Sequence, residues 1–113
     1  MSHKLRYSPE ALDDLDRIWS EVWEVSRDFD TADKYIDDLR DKVRKKIDFP
    51  KSGSPLFYMG EFTGIYLVYF KEYIAFYRIR GDAIEVGRVL FAKSDYMKTF
   101  FGRSEYIMED DEE

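Results

Sequence analysis

The sequence predicts a single α+β domain of order β-α-α-β-β-β with a short C-terminal helix, in which a helical hairpin packs on a small antiparallel sheet. Three observations predict it. Residues 8–50 hold two segments with apolar side chains three and four positions apart, residues 65–91 hold three β-branched and aromatic runs split by two-residue breaks, and 113 residues suffice for one core only. The core should be aromatic: the chain has nine Tyr, nine Phe and two Trp, and a hydrophobic fraction of 44% that separates it from disordered chains.

Lys4-Leu5-Arg6-Tyr7 alternates and reads as an opening strand. Ser8-Pro9-Glu10 then places a capping oxygen before a proline whose missing N–H costs nothing at a helix start. The first stripe is Ala11, Leu12, Leu15, Ile18, Trp19, Val22 and Trp23, which puts both tryptophans on the buried side and Asp13, Asp14 and Asp16 on a solvated one. The second helix should begin at Asp30 or Thr31 and carry Ala32, Tyr35, Ile36, Leu39, Val43 and Ile47 inward. With so few residues between them the two helices should form an antiparallel hairpin.

Phe49-Pro50 ends the second helix, and Lys51-Ser52-Gly53-Ser54-Pro55 reads as a loop. Ile65 to Phe70, Tyr73 to Arg80 and Ala83 to Phe91 follow as strands, and the breaks at Lys71-Glu72 and Gly81-Asp82 leave room only for hairpins. Ser94 or Asp95 should cap a last helix ending at Gly102. The domain is therefore expected over residues 1–103, followed by an acidic, disordered tail over 104–113.

Charge is distributed unevenly. The net charge of −6 equals the six acids of the tail, since residues 1–103 hold 18 bases and 18 acids. Residues 1–50 carry ten Lys/Arg against thirteen Asp/Glu, residues 51–103 eight against five, so the C-terminal half of the domain is the basic half. Absence of cysteine excludes disulfides, thiolate metal sites and a thiol nucleophile, and fits a cytoplasmic protein. No signal-like h-region or spanning segment is visible, so no membrane partner is expected. His3 is the single histidine, which rules out a Ser-His-Asp arrangement and a histidine metal cluster, and no phosphate-binding glycine loop is present. No cofactor is expected. The cations Arg40, Lys42, Arg44, Lys45 and Lys46 sit where a helix C-terminus favours positive charge whatever the function.

The segment from Glu72 to Asp95 resembles the C-terminal signature of RelE/ParE toxins, through Tyr73, Phe76, Tyr77, Arg78, Ile84, Glu85, Val86, Arg88, Val89 and Leu90. Ser8-Pro9-Glu10-Ala11, Asp14-Leu15, Ile18-Trp19 and Phe49-Pro50 match the family's N-terminal half. The ParE branch is the nearer one. The resemblance implies a toxin held inactive by a cognate antitoxin, with Trp19, Trp23, Tyr66 and Tyr69 as antitoxin contacts. ParE-type members are associated with inhibition of DNA gyrase, whereas RelE-type members cleave mRNA on the ribosome with basic side chains and no metal. Arg78, Arg88, Lys93, Tyr96 and Lys98 would then contact the target, without sequence-specific DNA binding.

A nuclease would have to rest on Arg78, Arg88 and Lys93, because an arginine expected in the nuclease branch falls on Ile74, another on Ser94 and the helix tyrosine on Phe100. The stretch Phe91-Ala92-Lys93-Ser94-Asp95 also departs from the H-G-A-R-D of many ParE sequences. Three functions follow: contact inhibition of gyrase, a ribosome-dependent nuclease with a reduced basic set, or an inactive member that binds an antitoxin-like partner. A structural role for the strand arginines stands beside these, with Arg78 pairing to Glu85 across the hairpin.

Overall fold

A computed structural model describes residues 3–102; the expected disordered tail lies outside the described residues. The chain runs β1 (Lys4–Tyr7), α1 (Pro9–Ser26), α2 (Phe29–Arg44), β2 (Ser54–Tyr58), β3 (Glu61–Phe70), β4 (Tyr73–Arg80), β5 (Ala83–Phe91) and α3 (Tyr96–Phe101). The sheet order is β1-β5-β4-β3-β2, with β1 parallel to β5 and every other pair antiparallel.

Local chemistry sets most boundaries as expected. The Ser8 hydroxyl accepts from the Ala11 N–H with Pro9 at the first helical position. Asp95 accepts from the Lys98 N–H to start α3, and Gly102 ends it at φ 81° with its N–H donating to the Lys98 carbonyl. The second helix starts earlier than the pattern suggested. Asp28 is its cap, accepting from the Asp30 N–H at 3.3 Å and the Thr31 hydroxyl at 2.7 Å, which leaves Arg27 and Asp28 as the whole link from α1. Past Arg44 the helix tightens into a 3₁₀ turn over Lys45–Ile47.

Two corrections concern the sheet. Residues read as a loop after Phe49-Pro50 include an edge strand, β2, and β3 begins at Glu61 rather than Ile65. The sheet is mixed because β1 returns through the α-hairpin to lie parallel to β5. β2 escaped notice because Ser54-Pro55 carries turn chemistry, and proline is tolerated on an edge strand.

The sheet buries both faces. Tyr66, Val68, Tyr73, Ala75, Tyr77, Ile84, Val86 and Val89 meet Ala11, Leu15, Ile18, Leu39 and Val43 of the helical hairpin. On the other face Leu56, Ile65, Leu67, Ile74, Phe76 and Leu90 are covered by Met97, with Tyr96, Phe100 and Phe101 of α3 packed against them. Val86 and Val89 both reach the helical side although three positions apart, since β5 bulges: Val86 pairs with Tyr77 and Arg88 with Phe76, leaving Gly87 unopposed.

Beyond this bulge β1 no longer covers the edge of β5, and α1 takes over its hydrogen bonds. The Ser8 N–H donates to the Val86 carbonyl and its hydroxyl to the Gly87 carbonyl. Asp14 accepts from the Val89 N–H at 2.8 Å. Asp14 is thus not on a solvated face: it is 2% exposed and also accepts from Arg88 Nε at 2.8 Å, Arg88 Nη2 at 3.1 Å and Arg17 Nη1 at 2.9 Å. Burial alone would raise its pKa, but the hydrogen bonds from Arg88, Val89 and Arg17 outweigh burial and hold the carboxyl below its ordinary 3.8.

The loop before β2 is held by Tyr77, whose hydroxyl accepts from the Gly53 N–H at 3.1 Å and donates to the Pro50 carbonyl at 2.6 Å. A Cβ at Gly53 would stand 2.5 Å from that oxygen. Gly53→Ala should therefore cost about 1–3 kcal/mol, and Tyr77→Phe about 1 kcal/mol, in urea unfolding. Asp14→Ala should cost about 3–5 kcal/mol, since it strands Arg88 and a buried strand N–H. The stability that a depressed Asp14 supplies is full above 3.8 and is lost as pH falls through the folded value. Asp14→Asn should accordingly lose less stability than the parent between about pH 5 and about pH 2 in the same assay.

Candidate functional site

Two bases of the C-terminal half, Arg78 and Arg80, lie on the side of the sheet that carries α3. Along β4 alternate side chains reach this side, so Ile74 and Phe76 build its apolar floor and Arg78 and Arg80 continue it into solvent. Phe100 packs on Phe76 with ring centroids 4.8 Å apart, and Tyr96 lies 5.2 Å from the same ring. Phe101 stacks on Tyr58 of β2 at 4.2 Å. These contacts fix α3 so that Phe100 forms one wall of a cleft of about 50 Å³ lined by Ile65, Phe76, Arg78, Glu85 and Gly87.

Arg78 is the open cation of this cleft. Its register partner is Glu85, but the ion pair expected between them goes to Arg80, whose Nε is 3.0 Å from Glu85 Oε1. Diagonal neighbours on a twisted antiparallel pair are within reach of a long side chain. Lys93 and Lys98 are exposed on the segment that leads into and forms α3. Among the described residues no carboxylate pairs with Arg78, Lys93 or Lys98. Of the residues expected at a target surface, Arg78 lines the cleft and Tyr96 packs on Phe76, whereas the register puts Lys93 beside Glu72 at the other end of the β4–β5 hairpin.

Arg88 stands apart from them. Its guanidinium is turned to the sheet edge, where Asp14 accepts two hydrogen bonds from it. Those hydrogen bonds raise its pKa against the opposing effect of burial. The missed signal was Asp14: a carboxylate interleaved with Asp13 and Asp16 looks solvated unless the bulge that presents the Val89 N–H is known.

The residues expected to meet an antitoxin do not share one surface. Trp19 and Trp23 are half-buried at the turn end of the helical hairpin rather than in the core, each stacked on Phe29. The Trp19 Nε1–H donates to Asp33 at 2.8 Å, and the Arg27 guanidinium lies 4.6 Å from the Trp23 ring. Trp19 and Trp23 fell on the apolar stripe, yet the hairpin ends before the sheet can cover them. Tyr66 is 9% exposed and stacks on Tyr77 at 5.3 Å under the helices. Tyr69, half exposed, is the register partner of Ile74 on the opposite side. Position 74, where the nuclease branch would carry arginine, is 1% exposed among apolar side chains, and Ser94 donates its hydroxyl to the Phe91 carbonyl.

The model of the ParE toxin of the parDE type II toxin-antitoxin system matches residues 5–96, a span that includes α1, α2 and all of the sheet but Lys4. The chain belongs to the ParE toxin family. No curated protein matches it. Among solved structures it is similar to the chromosomal ParDE toxin-antitoxin system from P. aeruginosa, at TM-score 0.68 and 19% identity over 81% of this chain and 98% of that one. It is also similar to the RelBE2 toxin-antitoxin complex from Mycobacterium tuberculosis, at 0.57 and 16% over 80% and 99%. A third is an arginine-substituted E. coli toxin RelE in the free state, at 0.61 and 14% over 96% and 98%. These identities speak to the fold, which the ParE and RelE branches share. Among the described residues of this ParE-family chain no helix is long and apolar enough to cross a membrane.

The two kinds of arginine should separate in solution. Arg88→Ala should cost about 1–3 kcal/mol and show a coupling of at least about 1 kcal/mol with Asp14→Asn in a double-mutant cycle. Arg78→Gln should stay within about 0.5 kcal/mol of the parent in the same urea titrations.

Proposed function

We propose that this ParE-family toxin inhibits DNA gyrase by contact through the face bearing α3 and is neutralised in the cytoplasm by a cognate antitoxin. The observation that supports contact over cleavage is the burial of Ile74 beside Phe76 and Phe100. Cleavage of an RNA backbone needs groups that deprotonate the ribose hydroxyl and stabilise a developing phosphorane charge. Here the floor where such groups would converge is apolar, and Arg78 stands at its edge.

Binding makes better use of this arrangement. A dry aromatic floor with charged groups around it has the anatomy of a protein–protein contact surface. Arg78 beside the cleft and the exposed Lys93 and Lys98 would steer an acidic partner surface, and Tyr96 would add contact area. An antitoxin that covers the same face, or that locks the helical hairpin near Trp19 and Trp23, would silence it.

A supercoiling assay with purified gyrase tests this reading. The protein should block supercoiling or raise the level of cleaved DNA complex, and an Arg78→Gln/Lys93→Gln/Lys98→Gln variant should be at least about tenfold weaker with an unchanged Tm. Unchanged supercoiling and unchanged cleavage complex would refute it. Arg78 beside the cleft also gives a second reading, ribosome-dependent mRNA cleavage with Arg78 at the phosphate. Primer extension on mRNA from induced cells would then show new cleavage sites that Arg78→Gln abolishes.

A further inference from the structure

From the cavity between the tip of the helical hairpin and the β3–β4 turn, we infer a separate recognition site that takes the side chain of an arginine from a partner polypeptide between the carboxylates of Glu21 and Glu72. It lies on the helical side of the sheet, away from α3, and does not depend on the target proposed above.

The first observation is the build of the cavity. Its volume of about 370 Å³ falls at the small end of the range for ligand sites. Val22 and Val25 of α1, Tyr35 of α2 and Tyr73 of β4 supply apolar walls, and Glu21 and Glu72 bring carboxylates from the helix and from the turn. Tyr73 is 6% exposed, stands edge-on to Tyr35 with ring centroids 6.1 Å apart, and donates its hydroxyl to Glu21 Oε1 at 2.6 Å. The Glu72 carbonyl accepts from the Ala92 N–H at 2.7 Å, which ties the turn to the residue after β5. Val25, 89% exposed, presents apolar surface at the mouth.

The second observation is charge, and it selects the occupant. Among the described residues Glu72 pairs with no cation, and Glu21 has only Arg17 Nε at 3.7 Å, a guanidinium already held by Asp14 at 2.9 Å. Glu24, one turn on, is by contrast paired with Arg27 at 3.4 Å. Burial first, then Glu21 and Glu72, raise the pKa of the Tyr73 hydroxyl, and burial and Glu72 raise that of Tyr35, so both carboxylates are felt inside the cavity. A cation between them would balance that charge. The rings accept one as well: Lys71 Nζ stands 4.9 Å from the Tyr35 centroid, although it does not line the cavity. A guanidinium suits the site better than an ammonium, because its planar fork can donate to carboxylates on two walls while its flat face lies on a ring. An apolar neighbour of that arginine would cover Val25.

The test titrates acetyl-Leu-Arg-amide into the full chain and follows backbone amide signals at about 0.1 M salt, where screening acts over about 10 Å. Signals of Val22, Val25, Glu72 and Tyr73 should move saturably. Glu21→Gln/Glu72→Gln should weaken binding at least about fivefold while the rest of the spectrum stays folded, and Glu72→Gln alone, on the exposed turn, should act in the same direction. Glu24→Gln should leave the affinity unchanged. Acetyl-Leu-norleucine-amide, which keeps the apolar stem without the cation, should bind at least about fivefold more weakly. Shifts spread equally over residues 13–16 and 37–41, affinity unaffected by the glutamate substitutions, or a norleucine peptide or spermidine that matches the arginine peptide would overturn the inference. Neither gyrase nor RNA enters the readout, so failure of this site and failure of the proposed target are separate results.

Discussion

The layers of this protein are joined at one carboxylate. Asp14 projects from α1 to the edge of β5 at the point where β1 has ended and the strand would otherwise present a bare N–H. A buried acid at such a place is favourable only if its lone pairs are filled, and here the Val89 N–H, Arg88 and Arg17 fill them. The result is a helix registered against a strand, where apolar packing alone would tolerate sliding.

The bulge at Gly87 makes that carboxylate reachable and also divides the arginines. One unopposed residue lets Val86 and Val89 both face the helices and sends the Arg88 guanidinium to the sheet edge. Arg78, ahead of the bulge on the neighbouring strand, keeps the opposite face and is left to solvent. Two arginines that look equivalent in the ParE-like signature thus hold different posts, one inside the fold and one on its surface.

The α3 side follows the same logic of covering what the sheet cannot leave open. Ile74, Phe76 and Leu90 are as apolar as the helical side, and a six-residue helix shields them with Met97 and three aromatic rings. So short a helix has little stability of its own and depends on those rings for its position.

Much of this was legible in the residues. The 3–4 spacing along 11–47, Ser8-Pro9, Asp95 and Gly102, and the breaks at 71–72 and 81–82 are local signals, and each placed an element because capping, periodicity and turn chemistry act within a few residues. The family likewise lay in the linear order of Ser8-Pro9-Glu10-Ala11 and the β4–β5 signature. The edge strand β2, the parallel pairing of β1, the burial of Asp14 and the half-exposure of Trp19 and Trp23 were decided by tertiary structure. Each depends on a neighbour distant in sequence: β3 for β2, β5 for β1, the Val89 N–H for Asp14, and the reach of the sheet for the tryptophans. Sequence by itself determined most of the elements and the family they spell; only the assembled fold decided which charges are buried as fasteners, as at Asp14 and Arg88, and which stay exposed, as at Arg78.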